Sequence, residues 1–223
     1  MVAAGRGTRL GGKTPKQYQP IGGVPMVLRA LRPFTAHPDV ARVALVLPAA
    51  DAAEPPAFLR GVLGEGLVLV PGGAERTDSV AAGLAALGPE CTTILVHDAV
   101  RPFVERAVID AVIAHARAGE GAIAAVRVSD TLKEAAADDA TRIGRTVPRD
   151  GLWRAQTPQG FPRAVLERAY AHMPAGPAGS TDDAALVERT GVPVRLVPDS
   201  PRNLKVTTAE DLALAEQLAG RGE

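Results

Sequence analysis

Short apolar runs that alternate with helical patterns constrain the fold of this chain more than any other feature. Five runs are rich in valine, leucine or alanine and show no polar alternation: residues 42–48, 67–70, 93–99, 122–128 and 194–197. Strands of this kind are buried on both faces. Helical patterns lie between and after them: residues 25–36, 52–63, 79–87, 105–118, 162–172, 182–190 and 208–219. The alternation predicts an α/β fold, with a mainly parallel twisted sheet and helices on both of its faces.

Residues 129–160 interrupt this alternation with mixed charges, two prolines and extended stretches on either side of the sequence AAADDA. The pattern predicts a hairpin-like arm at about residues 129–150, and it favours a partner contact or a lid over a place in the core. A chain of 223 residues is long enough to bury a sizeable core. We therefore expect a single domain over residues 1–223, from which this arm protrudes.

Charge and cysteine content exclude several classes of protein. The chain has 25 lysines and arginines against 25 aspartates and glutamates, so it lacks the basic excess of a protein that coats nucleic acid. No apolar run approaches the roughly 18 to 20 residues of a membrane span, and the first residues lack a signal-peptide pattern. The one cysteine, Cys91, excludes an internal disulfide and a zinc site of several cysteines. We expect a cytoplasmic protein with neither a nucleic-acid nor a membrane partner.

The first residues combine glycines with cations, in the sequence AAGRGTRLGGKTPK, and no acid precedes Asp39. A glycine-rich turn between a strand and a helix binds phosphate through its backbone N–H groups. A dinucleotide fingerprint requires a third glycine, where Leu10 stands, and an acid about 20 residues further on; the P-loop motif is also absent. The segment predicts a site for a compact polyanion such as a triphosphate. The alternative is a solvated basic turn.

Further candidates follow the predicted strands. In an open parallel sheet, ligands bind at the carboxyl ends of the strands, where Asp98 and Arg101 stand. A carboxylate beside bound phosphates is a typical Mg²⁺ ligand, although an Asp that caps the next turn is the alternative. His97 is predicted to be structural. Glycines and Ser79 follow the strand 67–70, where they could contact a base, and Lys205 is an isolated cation before a helix.

These motifs together resemble the 2-C-methyl-D-erythritol 4-phosphate cytidylyltransferase family, nearly from end to end. In chain order they are AAGRGTRLG…PKQY, GGAERTDSV, LVHDAVRPF, SDTLK, GLWRAQTPQGF, STDDA and NLKVTTAEDLALAE. The resemblance implies a Rossmann-like domain and a homodimer in which each arm reaches the other subunit. It also implies an enzyme of non-mevalonate isoprenoid synthesis that transfers CMP from CTP to a polyol phosphate, 2-C-methyl-D-erythritol 4-phosphate, and releases pyrophosphate.

The resemblance also assigns roles to particular residues. The cytosine would be surrounded by Ala3, Ala4, Gly5, Gly73 and Ser79, with Gly7 in the same CTP-binding loop. Arg9 and Lys16 would hold the triphosphate and, with Lys205, act in catalysis, while Asp98 would bind Mg²⁺. The polyol phosphate would meet Arg101, Thr131, Thr157 and Lys205, together with Arg149 from the partner's arm. The chain departs from the family at its short first strand, which begins at Met1, and at Ala74, where an acidic residue is frequent.

The implied chemistry needs no general base. A phosphomonoester has a second pKa of about 6, so the attacking phosphate oxygen is largely ionised at neutral pH. The obstacle is the repulsion between two anions, which fixed cations and Mg²⁺ reduce. Two other functions stay open: a cytidylyltransferase for ribitol 5-phosphate or a related pentitol phosphate, and a non-catalytic nucleotide-binding subunit.

Overall fold

The computed structural model of the chain describes residues 1–5, 14–64, 66–173 and 182–220. Within these ranges the strands are β1 (Pro20–Ile21), β2 (Val24–Pro25), β3 (Val43–Leu47), β4 (Leu67–Pro71), β5 (Thr93–Val96), β6 (Gly121–Arg127), β7 (Leu132–Ala136), β8 (Asp139–Val147), β9 (Trp153–Pro162) and β10 (Val194–Pro198). The α-helices are α1 (Met26–Thr35), α2 (Ala49–Ala53), α3 (Ala57–Arg60), α4 (Arg76–Ala86), α5 (Arg106–Arg117), α6 (Arg163–Ala171), α7 (Asp183–Glu188) and α8 (Ala209–Ala219).

The first residues of the chain connect two parts of the main sheet. Strand β3 pairs in parallel with β4, and β5 belongs to the group ordered β10-β6-β9-β5. Val2 forms parallel bridges to Val46 and Asp98, and its N–H donates to the carbonyl of His97 at 2.8 Å. The resulting order is β4-β3-Val2-β5-β9-β6-β10, in which β9 runs against its neighbours. The prediction of a mainly parallel α/β sheet is confirmed.

Apolar helices cover both faces of this sheet, as the sequence predicts. On one face α1 and α5 pack Phe34, Ile109 and Val112 into a buried cluster with β3, β6 and β10. On the other face α4, α6 and α7 contribute a second cluster, which includes Leu84 and Leu166. The longest helix in the described part of the chain has 12 residues, and none there is long and apolar enough to cross a membrane.

Strand β9 shows that the last part of the stretch 129–160, which interrupts the predicted alternation, belongs to the centre of the sheet. Residues 153–162 lie between β5 and β6, and the side chains of residues 156–161 are buried. The sequence WRAQTPQGFP hides this strand because prolines and polar side chains are untypical of a central strand. Several of its buried polar groups have internal partners. The Gln159 side-chain oxygen, for example, accepts the backbone N–H groups of Asp183 and Ala184 at 3.1 and 3.0 Å.

The predicted hairpin is present, in a shorter form than the interrupted stretch. Strands β7 and β8 pair with each other in an antiparallel register, and most of their side chains are exposed. Ile143 is an apolar side chain on this hairpin that is 61% exposed. The structure thus contains an exposed antiparallel hairpin in this stretch, while a protruding arm and its role in a dimer stay predictions.

Helix boundaries show where the sequence patterns were wrong. The predicted helix 52–63 is two short helices, α2 and α3, because Pro55 and Pro56 cannot continue a helix. A capping box fixes the start of α8. Thr208 caps α8 and accepts the N–H of Asp211 at 3.2 Å, while the Asp211 carboxylate accepts the N–H of Thr208 at 2.9 Å.

Candidate active site

A buried carboxylate surrounded by three cations lies just beyond the end of β5. Asp98 is 7% exposed. Its Oδ2 lies 2.9 Å from Lys205 Nζ and 3.7 Å from Arg101 Nε, and its Oδ1 lies 3.5 Å from Arg76 Nε. Burial by itself would raise the pKa of Asp98, but Lys205, Arg76 and Arg101 outweigh it and lower the pKa to about 2. The carboxylate is therefore ionised at neutral pH and holds the three cations together.

These four charged side chains line a polar cavity of about 250 Å³, together with Gln156, Thr157 and others. Three cations line the cavity with two carboxylates, Asp98 and Asp182, so positive charge predominates and the cavity suits an anionic ligand. It lies at the carboxyl end of a parallel strand, where open α/β sheets bind their ligands. The structure thus brings together four of the predicted site residues: Asp98, Arg101, Thr157 and Lys205.

Arg76 is a member of this site that the sequence reasoning missed. It begins α4, where the N–H of Glu75 donates to the Asp78 carboxylate at 2.9 Å and fixes the start of the helix. Its guanidinium donates to Asp183 at 2.8 Å, and Asp183 also accepts the Tyr170 hydroxyl at 2.6 Å. Burial favours the neutral form of Arg76, but the combined attraction of Asp183 and Asp98 outweighs this effect and raises the pKa of Arg76. The motif GGAERTDSV offered the signal, because it puts an arginine at a helix start directly after a strand-end loop.

His97 and Thr157 fix the backbone at Asp98. The His97 ring is 1% exposed, and its Nε2 donates to the carbonyl of Arg101 at 3.0 Å. Its Nδ1 is therefore the acceptor for the Thr157 hydroxyl at 3.0 Å, and that hydroxyl accepts the N–H of Asp98 at 3.1 Å. Burial lowers the pKa of His97 to about 4, so the ring is neutral at pH 7. This network agrees with the structural role predicted for His97.

The residues assigned to the cytosine also come together in part. The described end of the first segment approaches the loop after β4 so closely that a Cβ at Gly72 would lie 2.3 Å from the Ala4 Cβ. In the same loop the N–H of Gly73 donates to Ser79 Oγ at 3.2 Å, while Ala74 is exposed and has no polar side chain. Ala3 is buried, and its N–H donates to the carbonyl of Val46 at 2.8 Å.

Other predicted residues lie elsewhere or outside the described ranges. Gly7 and Arg9 fall in residues 6–13, which the structure does not describe. Lys16 begins a 3₁₀ turn, Lys16–Tyr18, and is half-buried. Thr131 is exposed next to the hairpin, and exposed Arg149 donates to the carbonyl of Ser129. These two residues do not line the cavity around Asp98.

The surroundings of Asp98 do not fit the predicted Mg²⁺ ligand. Both carboxylate oxygens already face cationic side chains within 4.0 Å, which would repel a dication. A second group, His37, Asp39 and Asp110, has ligand atoms within 4.8 Å of one another. There the His37 ring already accepts the N–H of Asp39 and contacts Asp110 at 2.9 Å, so both of its nitrogens are engaged. The carboxylate of Asp98 therefore does not offer the several available oxygens that Mg²⁺ prefers.

The fold and the cavity define the class of protein. A mainly parallel sheet with a cationic cavity at a strand end, beside a glycine-containing loop, is typical of α/β proteins that bind nucleotides or other phosphate compounds. The sequence profile of the 2-C-methyl-D-erythritol 4-phosphate cytidylyltransferase family matches residues 1–221, and the chain belongs to that family of nucleotidyltransferases.

Curated relatives and solved structures agree with this assignment. The 2-C-methyl-D-erythritol 4-phosphate cytidylyltransferase of Salinibacter ruber is 43% identical over 97% of this chain and 90% of its own length. The bifunctional enzyme IspD/IspF of Rhodospirillum rubrum is 47% identical over 100% of this chain, which spans 57% of that relative. The crystal structure of the cytidylyltransferase of the same name from Thermus thermophilus matches with a TM-score of 0.79 and 37% identity, covering 95% of this chain and 96% of that one.

We predict that the buried His97 makes the folding stability of the chain decrease at acidic pH. Its pKa is about 4 in the folded chain against 6.5 for the free side chain, so the unfolded state binds the proton more tightly. Stability should therefore fall as the pH drops from about 6.5 to about 4, by about 3 kcal/mol from this group. In His97→Gln this loss of stability should be absent. The free energy of unfolding of the unaltered chain and of the variant, measured in urea at pH 7, 5.5 and 4, checks the prediction. The same pH dependence in both proteins would contradict it.

Proposed function

We propose that this chain transfers the cytidylyl group of CTP to 2-C-methyl-D-erythritol 4-phosphate. The products are 4-diphosphocytidyl-2-C-methyl-D-erythritol and pyrophosphate, and the reaction serves isoprenoid precursor synthesis. The observation that carries this proposal is the group of three cations around Asp98, which lines a cavity at the end of β5 in a member of the cytidylyltransferase family. The family and its named relatives favour this acceptor over ribitol 5-phosphate.

The charges of the cavity suit the acceptor phosphate. The side chain of Lys205 is 41% exposed and its Nζ lies 2.9 Å from Asp98 Oδ2, so its ammonium can turn towards a bound phosphate. Arg101 is held in place by a second contact, because its guanidinium donates to the carbonyl of Asn203 at 2.9 Å. The two cations would orient the phosphate oxygen for in-line attack on the α-phosphorus of CTP and reduce the repulsion between the two anions.

The triphosphate of CTP would bind next to the first residues of the chain. Ala3, Ala4, Gly5, Gly7, Gly73 and Ser79 are proposed to surround the nucleotide, with Arg9 and Lys16 on its phosphates. The close approach of Ala4 to Gly72 supports this placement, because it brings the two proposed nucleotide loops into contact. Any Mg²⁺ in the reaction would have to be held by the oxygens of the triphosphate, since Asp98 is already surrounded by cations.

An acceptor assay tests the function. Pyrophosphate release with CTP should require 2-C-methyl-D-erythritol 4-phosphate and should be much slower with ribitol 5-phosphate at equal concentration. Faster turnover with ribitol 5-phosphate would favour the pentitol alternative. CTP binding without pyrophosphate release from either acceptor would favour a non-catalytic nucleotide-binding subunit. The cytoplasmic location and the single domain remain predictions from the sequence.

The cations themselves can be tested by substitution. Lys205→Met and Lys16→Met should each lower kcat by about 10²- to 10³-fold, because each removes a preorganised positive charge from the reacting phosphates. Arg106→Met is the control, since Arg106 is a surface cation 64% exposed at the start of α5 and does not line the cavity. Circular dichroism would establish that all three variants are folded. Near-normal turnover of both lysine variants would contradict the assignment.

The hairpin of β7 and β8 is proposed to form a homodimer and to bring Arg149 to the cavity of the partner subunit. Two features support this. Arg149 is exposed beside the hairpin and does not line the cavity of its own chain, and the hairpin presents Ile143 to the outside. A projecting hairpin that docks on a second subunit would bury this apolar side chain.

Mixed dimers test whether Arg149 acts across subunits. Arg149→Ala and Lys205→Met should each be nearly inactive alone. A mixture that exchanges subunits should regain activity, because a heterodimer contains one site in which both residues are intact. If Arg149 acted within its own chain, both sites of the heterodimer would be defective and the mixture would stay inactive. Analytical ultracentrifugation should show dimers for every sample.

A further inference from the structure

Two polar atoms of the Asp98 cavity have no hydrogen-bond partner among the described residues. They are Arg101 Nε, a donor, and Gln156 Oε1, an acceptor. Both side chains line the cavity, and they are only 8% and 7% exposed. Leaving a buried polar atom without a partner costs about 1 to 3 kcal/mol, so such atoms call for an explanation. A bound ligand that supplies the missing partners is one such explanation.

The orientation of the Gln156 carboxamide is fixed by its neighbours. Its Nε2 donates to the carbonyl of Asn203 at 2.9 Å and lies 3.5 Å from the carbonyl of Ser200. A flipped carboxamide would place Oε1 against these two carbonyl oxygens and lose both interactions. Asn203 is itself held, because its Nδ2 donates to the carbonyl of Thr157 at 2.8 Å. Gln156 therefore presents an acceptor, not a donor.

The partner that Gln156 Oε1 lacks must be a hydrogen-bond donor, and this requirement limits which ligands can fit the cavity. A phosphate dianion satisfies Arg101 Nε and the other cations, but it offers no proton to Gln156 Oε1. A hydroxyl group does. A ligand that carries both a phosphate and hydroxyl groups, a polyol phosphate, therefore matches the cavity better than inorganic phosphate or a phosphate ester without hydroxyls.

We propose that Gln156 is a specificity-determining residue whose Oε1 accepts a hydrogen bond from one hydroxyl group of the polyol phosphate acceptor. The inference rests on the proposed function and assigns the recognition of the polyol part, as distinct from the phosphate, to β9. It gives a reason for the glutamine in the middle of a central strand, where an apolar side chain would otherwise be expected. A site built to hydrogen-bond a hydroxyl discriminates strongly against an analogue that lacks it.

Analogues of the acceptor with each hydroxyl removed in turn test the proposal. For the unaltered chain, one deoxy analogue should show a kcat/KM at least tenfold below that of the parent acceptor. In Gln156→Met, which keeps the length of the side chain but has no carboxamide, this difference should disappear for that analogue alone, and the KM for CTP should stay unchanged. Gln217→Met, on the exposed side of α8, is the matched control and should keep the full discrimination.

The ratio of kcat/KM for the parent acceptor to kcat/KM for the deoxy analogue distinguishes recognition of a hydroxyl group from a structural effect of the substitution. A variant that merely distorts the cavity lowers kcat/KM for every acceptor alike and leaves each ratio intact, and that outcome would overturn the proposal. If Gln156→Met fails to fold, the ¹³Cδ resonance of Gln156 in the unaltered chain tests the proposed hydrogen bond instead. It should shift on addition of 2-C-methyl-D-erythritol 4-phosphate and not on addition of the critical deoxy analogue; equal shifts with both would overturn it. Because this titration measures binding, it gives an answer even if no acceptor is turned over.

Discussion

The ionised carboxylate of Asp98 is the interaction on which the site depends. Lys205, Arg101 and Arg76 come from distant parts of the sequence, and like charges at such short distances would repel one another without a central anion. The carboxylate holds them in place before any substrate arrives. A phosphate that enters the cavity then meets cations that are already oriented, so little reorganisation is needed during the reaction.

The sheet explains why this carboxylate can be placed so firmly. Val2 bridges to Asp98 on one side of the strand end, and β9 supplies Thr157 on the other, whose hydroxyl accepts the N–H of Asp98 at 3.1 Å. His97 fixes that hydroxyl in turn. Strand β9 thus has two functions: it fills the centre of the sheet, and it provides the polar wall of the cavity through Gln156 and Thr157.

Local patterns predicted most of the fold and the centre of the site. Apolar runs located five strands, and the strand-end position singled out Asp98 and Arg101. Strand β9 was missed because polar side chains are untypical of a central strand. Their partners are not visible in the local sequence; the Gln159 side chain, for instance, bonds to residues on α7. Arg76 was missed for a similar reason, since its partner Asp183 lies 107 residues away. The sequence predicts that Asp98 binds Mg²⁺, because a carboxylate at a strand end is a typical ligand. Residue type and position alone do not reveal that three cations surround this carboxylate.

A crystal structure with an unreactive CTP analogue and 2-C-methyl-D-erythritol 4-phosphate would show whether the cations around Asp98 bind the acceptor. We expect the acceptor phosphate in the cavity beside Arg101, with Lys205 Nζ turned from Asp98 to a phosphate oxygen and the carboxylate still between the two guanidinium groups. A phosphate bound away from this cavity, with Lys205 still 2.9 Å from Asp98, would contradict it.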